Sequence, residues 1–201
     1  MNFFGQLLSA LLQLLIFTTI PFLWYVVTHK KITGFFQWLG LKTPIDTDKS
    51  IWKFVSIAVI GFNIVSIGIL FILKDVDTVT SSFMERKIAA LPSAFIYAFV
   101  KTALSEEILF RGFILKRLSN KLGFKIGNII QSVLFGLLHG VMFVSVVETM
   151  KLLLIVVFTG AIAWCIGYIN ESKANGSIIP GWIIHGIANL FSAFISMFSV
   201  I

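Results

Sequence analysis

The sequence predicts an all-α bundle of about six membrane-spanning helices, and three observations carry that prediction. Apolar residues fill 58% of the 201 positions and charged residues only 12%, with a mean hydropathy of +0.98. The apolar residues are gathered into runs of membrane length. Short segments rich in Lys and Arg separate those runs. A chain of this length has room for one domain, taken as residues 1–201 and embedded in the membrane. The net charge of +7 does not point to nucleic acid, because that partner needs cations clustered on a soluble face. The partner implied is the lipid bilayer.

The first span covers about 3–27, with Pro21 expected to kink rather than stop it. No basic segment precedes it and it is too long for the apolar core of a signal peptide, so it reads as a span. The segment 28–53 carries Lys30, Lys31, Lys42, Lys49 and Lys53. Within it Phe35, Phe36, Trp38 and Leu39 predict a short interfacial helix near 33–40. The second span is about 51–73, followed by a mixed-charge connection with Asp75, Asp77, Glu85, Arg86 and Lys87. The third, 88–118, has Pro92 near its start and two carboxylates in its interior. The fourth is about 126–147, the fifth 151–169 and the sixth 177–201, with Pro180 and Gly181 suited to a first turn. Gly160, Ala163 and Gly167 give the fifth a small-residue face fit for close helix contact. The lone cysteine, Cys165, lies in an apolar run and is assigned to packing.

Alternation of six spans places 28–53, 116–125 and 170–176 on one side. Ten of the 16 Lys and Arg fall there: Lys30, Lys31, Lys42, Lys49, Lys53, Lys116, Arg117, Lys121, Lys125 and Lys173. The positive-inside bias makes that side cytoplasmic and both termini external.

The stretch Ser105-Glu106-Glu107-Ile108-Leu109-Phe110-Arg111 organises the chain. A carboxylate at the centre of a membrane helix costs about 2.5–3.5 kcal/mol even on lenient insertion scales. At about 100° per residue, Arg111 shares a face with Glu107 and can pair with it. Glu106 is rotated by about 140° from Arg111. That geometry assigns Glu107 to the ion pair and leaves Glu106 free for chemistry. Lys101, in the same span, either pairs with a carboxylate or faces the same interior.

Two of the three histidines, His139 and His185, also lie inside spans; His29 belongs to a basic segment. On the fourth span Asn128, Ser132, Phe135 and His139 fall within about 40° of one another. On the sixth, His185, Asn189, Ser192 and Ser196 form a second polar stripe. Such stripes face a bundle interior or a wet cavity. At 1.5 Å per residue, Glu106 and His185 lie roughly 12–15 Å from the basic boundary, and His139 about 20 Å in an untilted helix.

A carboxylate and a histidine around a water can abstract its proton and aim the oxygen at a carbonyl. A second histidine and an amide can stabilise the resulting oxyanion. There is no Gly-x-Ser-x-Gly and no histidine near Cys165 in sequence, so covalent catalysis has no candidate. Two histidines and a glutamate leave zinc as an alternative to direct water activation, though no His-Glu-x-x-His occurs on one helix.

Glu106-Glu107-x-x-x-Arg111, Phe135-x-x-x-His139 and His185-x-x-x-Asn189 occur in this order, each within an apolar span. This set resembles the CPBP family of CAAX proteases and bacteriocin-processing enzymes, also called Abi, which includes the type II CAAX prenyl endopeptidases. The resemblance covers about 105–189, and no motif position departs from the pattern. It implies a glutamate-type intramembrane endopeptidase of a bacterial plasma membrane. Glu106 and His139 would activate water, His185 and Asn189 would form the oxyanion hole, and Glu107, Arg111 and Phe135 would support them. The prenyl endopeptidases tend to have eight spans, so the substrate stays open between a prenylated protein, a bacterial leader or bacteriocin precursor, and another membrane protein. Two other classes remain: a non-hydrolytic scaffold or bacteriocin-immunity protein using the same cavity, and a proton-coupled transporter.

Overall fold

The computed structural model describes residues 3–44, 50–73, 76, 83 and 88–198. Among the described residues seven helices follow one another: α1 (Phe3–His29), α2 (Phe35–Leu39), α3 (Ile51–Ile72), α4 (Ile88–Leu122), α5 (Phe124–Phe143), α6 (Thr149–Lys173) and α7 (Ile179–Met197). All but α2 are long and apolar enough to cross a membrane. Among the described residues there is no strand, and the all-α bundle of six spans expected from the sequence is the observed fold. The mixed-charge connection read at Asp75, Asp77, Glu85, Arg86 and Lys87 lies outside the described residues, as do Lys49 and the last residues of the sixth expected span.

The boundaries move by a few residues. The third span extends to Leu122 and the fifth to Lys173, whereas the fourth ends at Phe143, short of the expected 147. Helix α1 continues through Pro21. The short α2 begins and ends at glycines of positive φ and tucks Phe35 and Leu39 against Tyr25, Ile108 and Ile178.

The burial pattern is the reverse of a soluble protein's. Phe4, Leu15, Ile64 and Val141 stand exposed on the outside, while Glu107, Arg111, Asn128, Gln131 and Asn170 are fully buried. With hydrocarbon outside, apolar burial supplies little driving force, and close packing and interhelical hydrogen bonds hold the bundle. The α5–α6 pair follows this logic. Asn128 Nδ2 donates to the Trp164 carbonyl at 3.0 Å, and Gln131 Nε2 to that of Ala163 at 3.1 Å. A Cβ at Gly167 would collide with Asn128 Oδ1, so the small-residue face of the fifth span is where the helices meet. An apolar cluster of Ile51, Val55 and Phe62 with Ile166, Ile169 and Ile184 ties α3 to α6 and α7, and Cys165 packs against it.

Helix α4 departs from α geometry. Residues Ile96–Leu104 and Glu107–Leu115 are π-helical, as is Ile169–Lys173 at the end of α6. Side chains support the widened turns. Thr102 Oγ1 reaches the carbonyls of Tyr97 and Ala98, both at 3.0 Å, and Ser105 Oγ reaches that of Val100 at 3.3 Å. Trp182 Nε1, from α7, donates to the Phe99 carbonyl at 2.7 Å. Hydroxyl and indole donors of this kind re-satisfy a helix whose ladder has been altered inside a membrane.

Candidate active site

The widened turns change the angular reckoning made for an α-helix. In an i→i+5 ladder, residues four and five apart both fall near one face. Arg111 Nη1 lies 3.0 Å from Glu107 Oε1, both side chains fully buried, which is the expected ion pair. Glu106 makes no ion pair with Arg111, as the spacing predicts. Both carboxylates converge on His185, with Glu107 Oε1 3.4 Å from Nδ1 and Glu106 Oε2 3.6 Å from Nε2. An imidazolium at position 185 has one N–H for each of them.

Glu107 is held on every side. Asn170, fully buried, donates from Nδ2 to Glu107 Oε2 at 3.2 Å and accepts from the Gly181 backbone N–H at 2.9 Å. That acceptor satisfies one of the orphan donors at the start of α7. Gly181 has to be glycine because a Cβ there would sit 2.5 Å from Asn170 Nδ2 and 2.7 Å from Glu107 Oε2. The Arg111 guanidinium makes no well-angled hydrogen bond and instead lies over the Phe135 ring, 4.4 Å from its centroid. Its charge is therefore met by the Glu107 carboxylate and an aromatic face.

Glu106 is less enclosed. Its Oε2 is buried but has no hydrogen-bond partner, and His185 is the side chain that faces it. His139 joins from α5. Its Nδ1 lies 2.9 Å from the Phe135 carbonyl and its ring 4.4 Å from that of Phe135, which is 6.0 Å from His185. With Nδ1–H donated to that carbonyl, the neutral ring presents Nε2 as an acceptor. Phe135, His139, His185 and Asn189 line one cavity of about 160 Å3, together with Phe62 and Ser66 of α3 and Thr159 of α6. The difference in depth read from residue counts does not keep His139 from His185.

Asn189 stands one turn beyond His185 and donates from Nδ2 to Thr102 Oγ1 at 2.7 Å, leaving one N–H for another acceptor. Lys101 makes no ion pair among the described residues and does not line this cavity. Of the fourth-span stripe, only Phe135 and His139 reach the cavity, while Asn128 and Ser132 belong to the α5–α6 contact. Among the described residues no three His, Cys, Asp or Glu side chains are grouped to hold a metal ion. Sequence reasoning missed Asn170 and Thr102. The sequence assigns Asn170 to the connection 170–176, although an asparagine one residue past an apolar run is a usable signal.

A family model described as type II CAAX prenyl endopeptidase Rce1-like matches residues 88–191, which include every motif residue above. Neither the curated proteins nor the solved structures gave a match.

Proposed function

This chain belongs to the type II CAAX prenyl endopeptidase Rce1-like family, and from that premise we propose that it hydrolyses a peptide bond inside the membrane with Glu106 as the base. It is an integral, multi-pass membrane protein of a protease family, acting on a peptide or protein. The finer reading is that Glu106 takes a proton from a water as the water oxygen attacks the peptide carbonyl carbon, with His139 Nε2 orienting that water. The carbonyl oxygen gains the negative charge, and His185 and the remaining Asn189 N–H stabilise it. The carbon–nitrogen bond then breaks, and the proton passes from Glu106 to the departing amine. Glu107, Arg111 and Phe135 hold His185 and His139 in place.

One observation carries this reading: a buried Glu106 carboxylate oxygen without a hydrogen-bond partner faces His185, which lines one cavity with His139 and Asn189. A carboxylate kept in that state inside an apolar bundle is expensive, and chemistry is the default reason to keep it. The substrate we propose is a membrane-associated protein or peptide, prenylated where the family name applies. The membrane is a bacterial plasma membrane.

The test is cleavage of a diverse peptide library, prenylated and unprenylated, by purified wild type, Glu106→Ala and His139→Ala, read by mass spectrometry with and without a zinc chelator. Cleavage lost in both variants and surviving chelation is the expected result. Cleavage abolished by the chelator and restored by zinc would replace this mechanism with a metal-dependent one. Function retained by well-folded Glu106→Ala would favour a non-hydrolytic scaffold.

A further inference from the structure

A second cavity, of about 290 Å3, lies near the C-terminal end of α4 and shares no residue with the candidate active site. Three segments of the chain build it. The segment after α2 brings Lys42, whose backbone carbonyl accepts from Ser177 Oγ at 2.6 Å. The last turns of α4 bring Lys116, Arg117 and Asn120, and the end of α6 brings Glu171.

The charges in this cavity do not balance. Lys116 Nζ donates to Glu171 Oε1 at 2.5 Å and to the Gly176 carbonyl at 2.8 Å, so this lysine and this carboxylate neutralise each other. Lys42 and Arg117 have no acidic partner within ion-pair distance among the described residues. Among the described residues Lys42 and Arg117 are thus two cations without an ion-pair partner at one polar cavity, with Glu171 acting on Arg117 at longer range. Arg117 is also fixed in place, with its guanidinium carbon 3.9 Å from the centroid of the Trp38 ring. Stacking on an indole orients a guanidinium but leaves its in-plane N–H groups to seek acceptors. Arg117 Nη1 is buried and has none.

We propose that this cavity binds a phosphate oxyanion, either the headgroup of an anionic lipid or free phosphate. A guanidinium held rigid by stacking, with a second cation lining the same cavity, matches a tetrahedral anion in charge. The cavity's place at the end of a membrane-length helix is where lipid phosphates lie. Ile32 and Phe36, close to Trp38 in sequence, expose their apolar side chains as a lipid-facing surface would. The site is independent of the proposed hydrolysis.

Native mass spectrometry of the full chain in detergent tests it, with phosphatidylglycerol, phosphatidylcholine and inorganic phosphate as separate probes. Wild type is expected to retain phosphatidylglycerol over phosphatidylcholine by about tenfold or more, an effect in keeping with two cations at a membrane surface. The double variant Lys42→Gln/Arg117→Gln should lose that preference. Lys30→Gln/Lys31→Gln, which removes two cations outside the cavity, should keep it. Inorganic phosphate bound by wild type and not by the double variant, without any lipid preference, would assign the site to free phosphate. No preference in wild type for any probe would overturn the proposal, and so would equal losses in the two double variants. Thermal unfolding accompanies each variant. If the double variant fails to fold, Lys42→Gln alone is expected to weaken retention severalfold, and unchanged retention there overturns the proposal.

Discussion

Glu106 and Glu107 are neighbours in sequence and opposites in environment. Glu107 is sealed, with Arg111 at 3.0 Å, Asn170 at 3.2 Å and no exposed surface. Glu106 retains 14% exposure and an oxygen with no hydrogen-bond partner, opposite His185. The packed side of the pair joins α4, α6 and α7 into one unit. The cavity side gathers His139, His185 and Asn189 around open space. A buried charge whose partners are all protein groups reads as architecture, and one left with an unpaired oxygen facing a cavity-lining histidine reads as chemistry.

The largest way to break this comparison is Glu106→Gln, which should lower kcat by about 10²–10⁴ while leaving the unfolding midpoint unchanged. Its counterpart acts on stability. Arg111→Ala should cost about 3–5 kcal/mol because it strands the Glu107 charge, and Glu107→Leu/Arg111→Met should recover much of that loss while remaining inactive. Reversible unfolding in mixed micelles measures both. Asn189→Ala should cost about 10²–10³ in kcat at nearly constant KM, as removal of an oxyanion donor does. Thr102→Val should cost less in kcat, since it loosens Asn189 without removing its N–H groups. The smallest effect belongs to Asn170→Ala, about 1–3 kcal/mol of stability from a buried carboxylate that loses one donor and a helix terminus that loses its acceptor. Cleavage by the folded fraction would sharpen the comparison by falling only modestly.

Much of this was legible in the sequence. Hydropathy alone delimits six spans, because hydrocarbon forces backbone polar groups into helices. The i,i+4 spacing of Glu107 and Arg111 announces their ion pair. The convergence of Glu106 and Glu107 on His185 was not legible, because α-helical arithmetic places the two carboxylates about 100° apart. Thr102 and Ser105 support the i→i+5 turns that precede Glu106, a departure from that arithmetic. No local composition rule marks a threonine as the support of a widened turn. Asn170 was hidden for the same reason: a π-helical end carries α6 past Ile169 and brings the asparagine inward to Glu107. Asn128 and Ser132 were over-read. Their polarity is real, but it is spent on the contact between α5 and α6.

Glu106→Gln and Glu107→Gln, purified side by side and assayed for both peptide cleavage and unfolding, test the central division most directly. The account predicts that Glu106→Gln is inactive and as stable as wild type, whereas Glu107→Gln is measurably less stable and keeps part of its cleavage when folded. Robust cleavage by Glu106→Gln, with Glu107→Gln inactive at full stability, would exchange the two roles and contradict it.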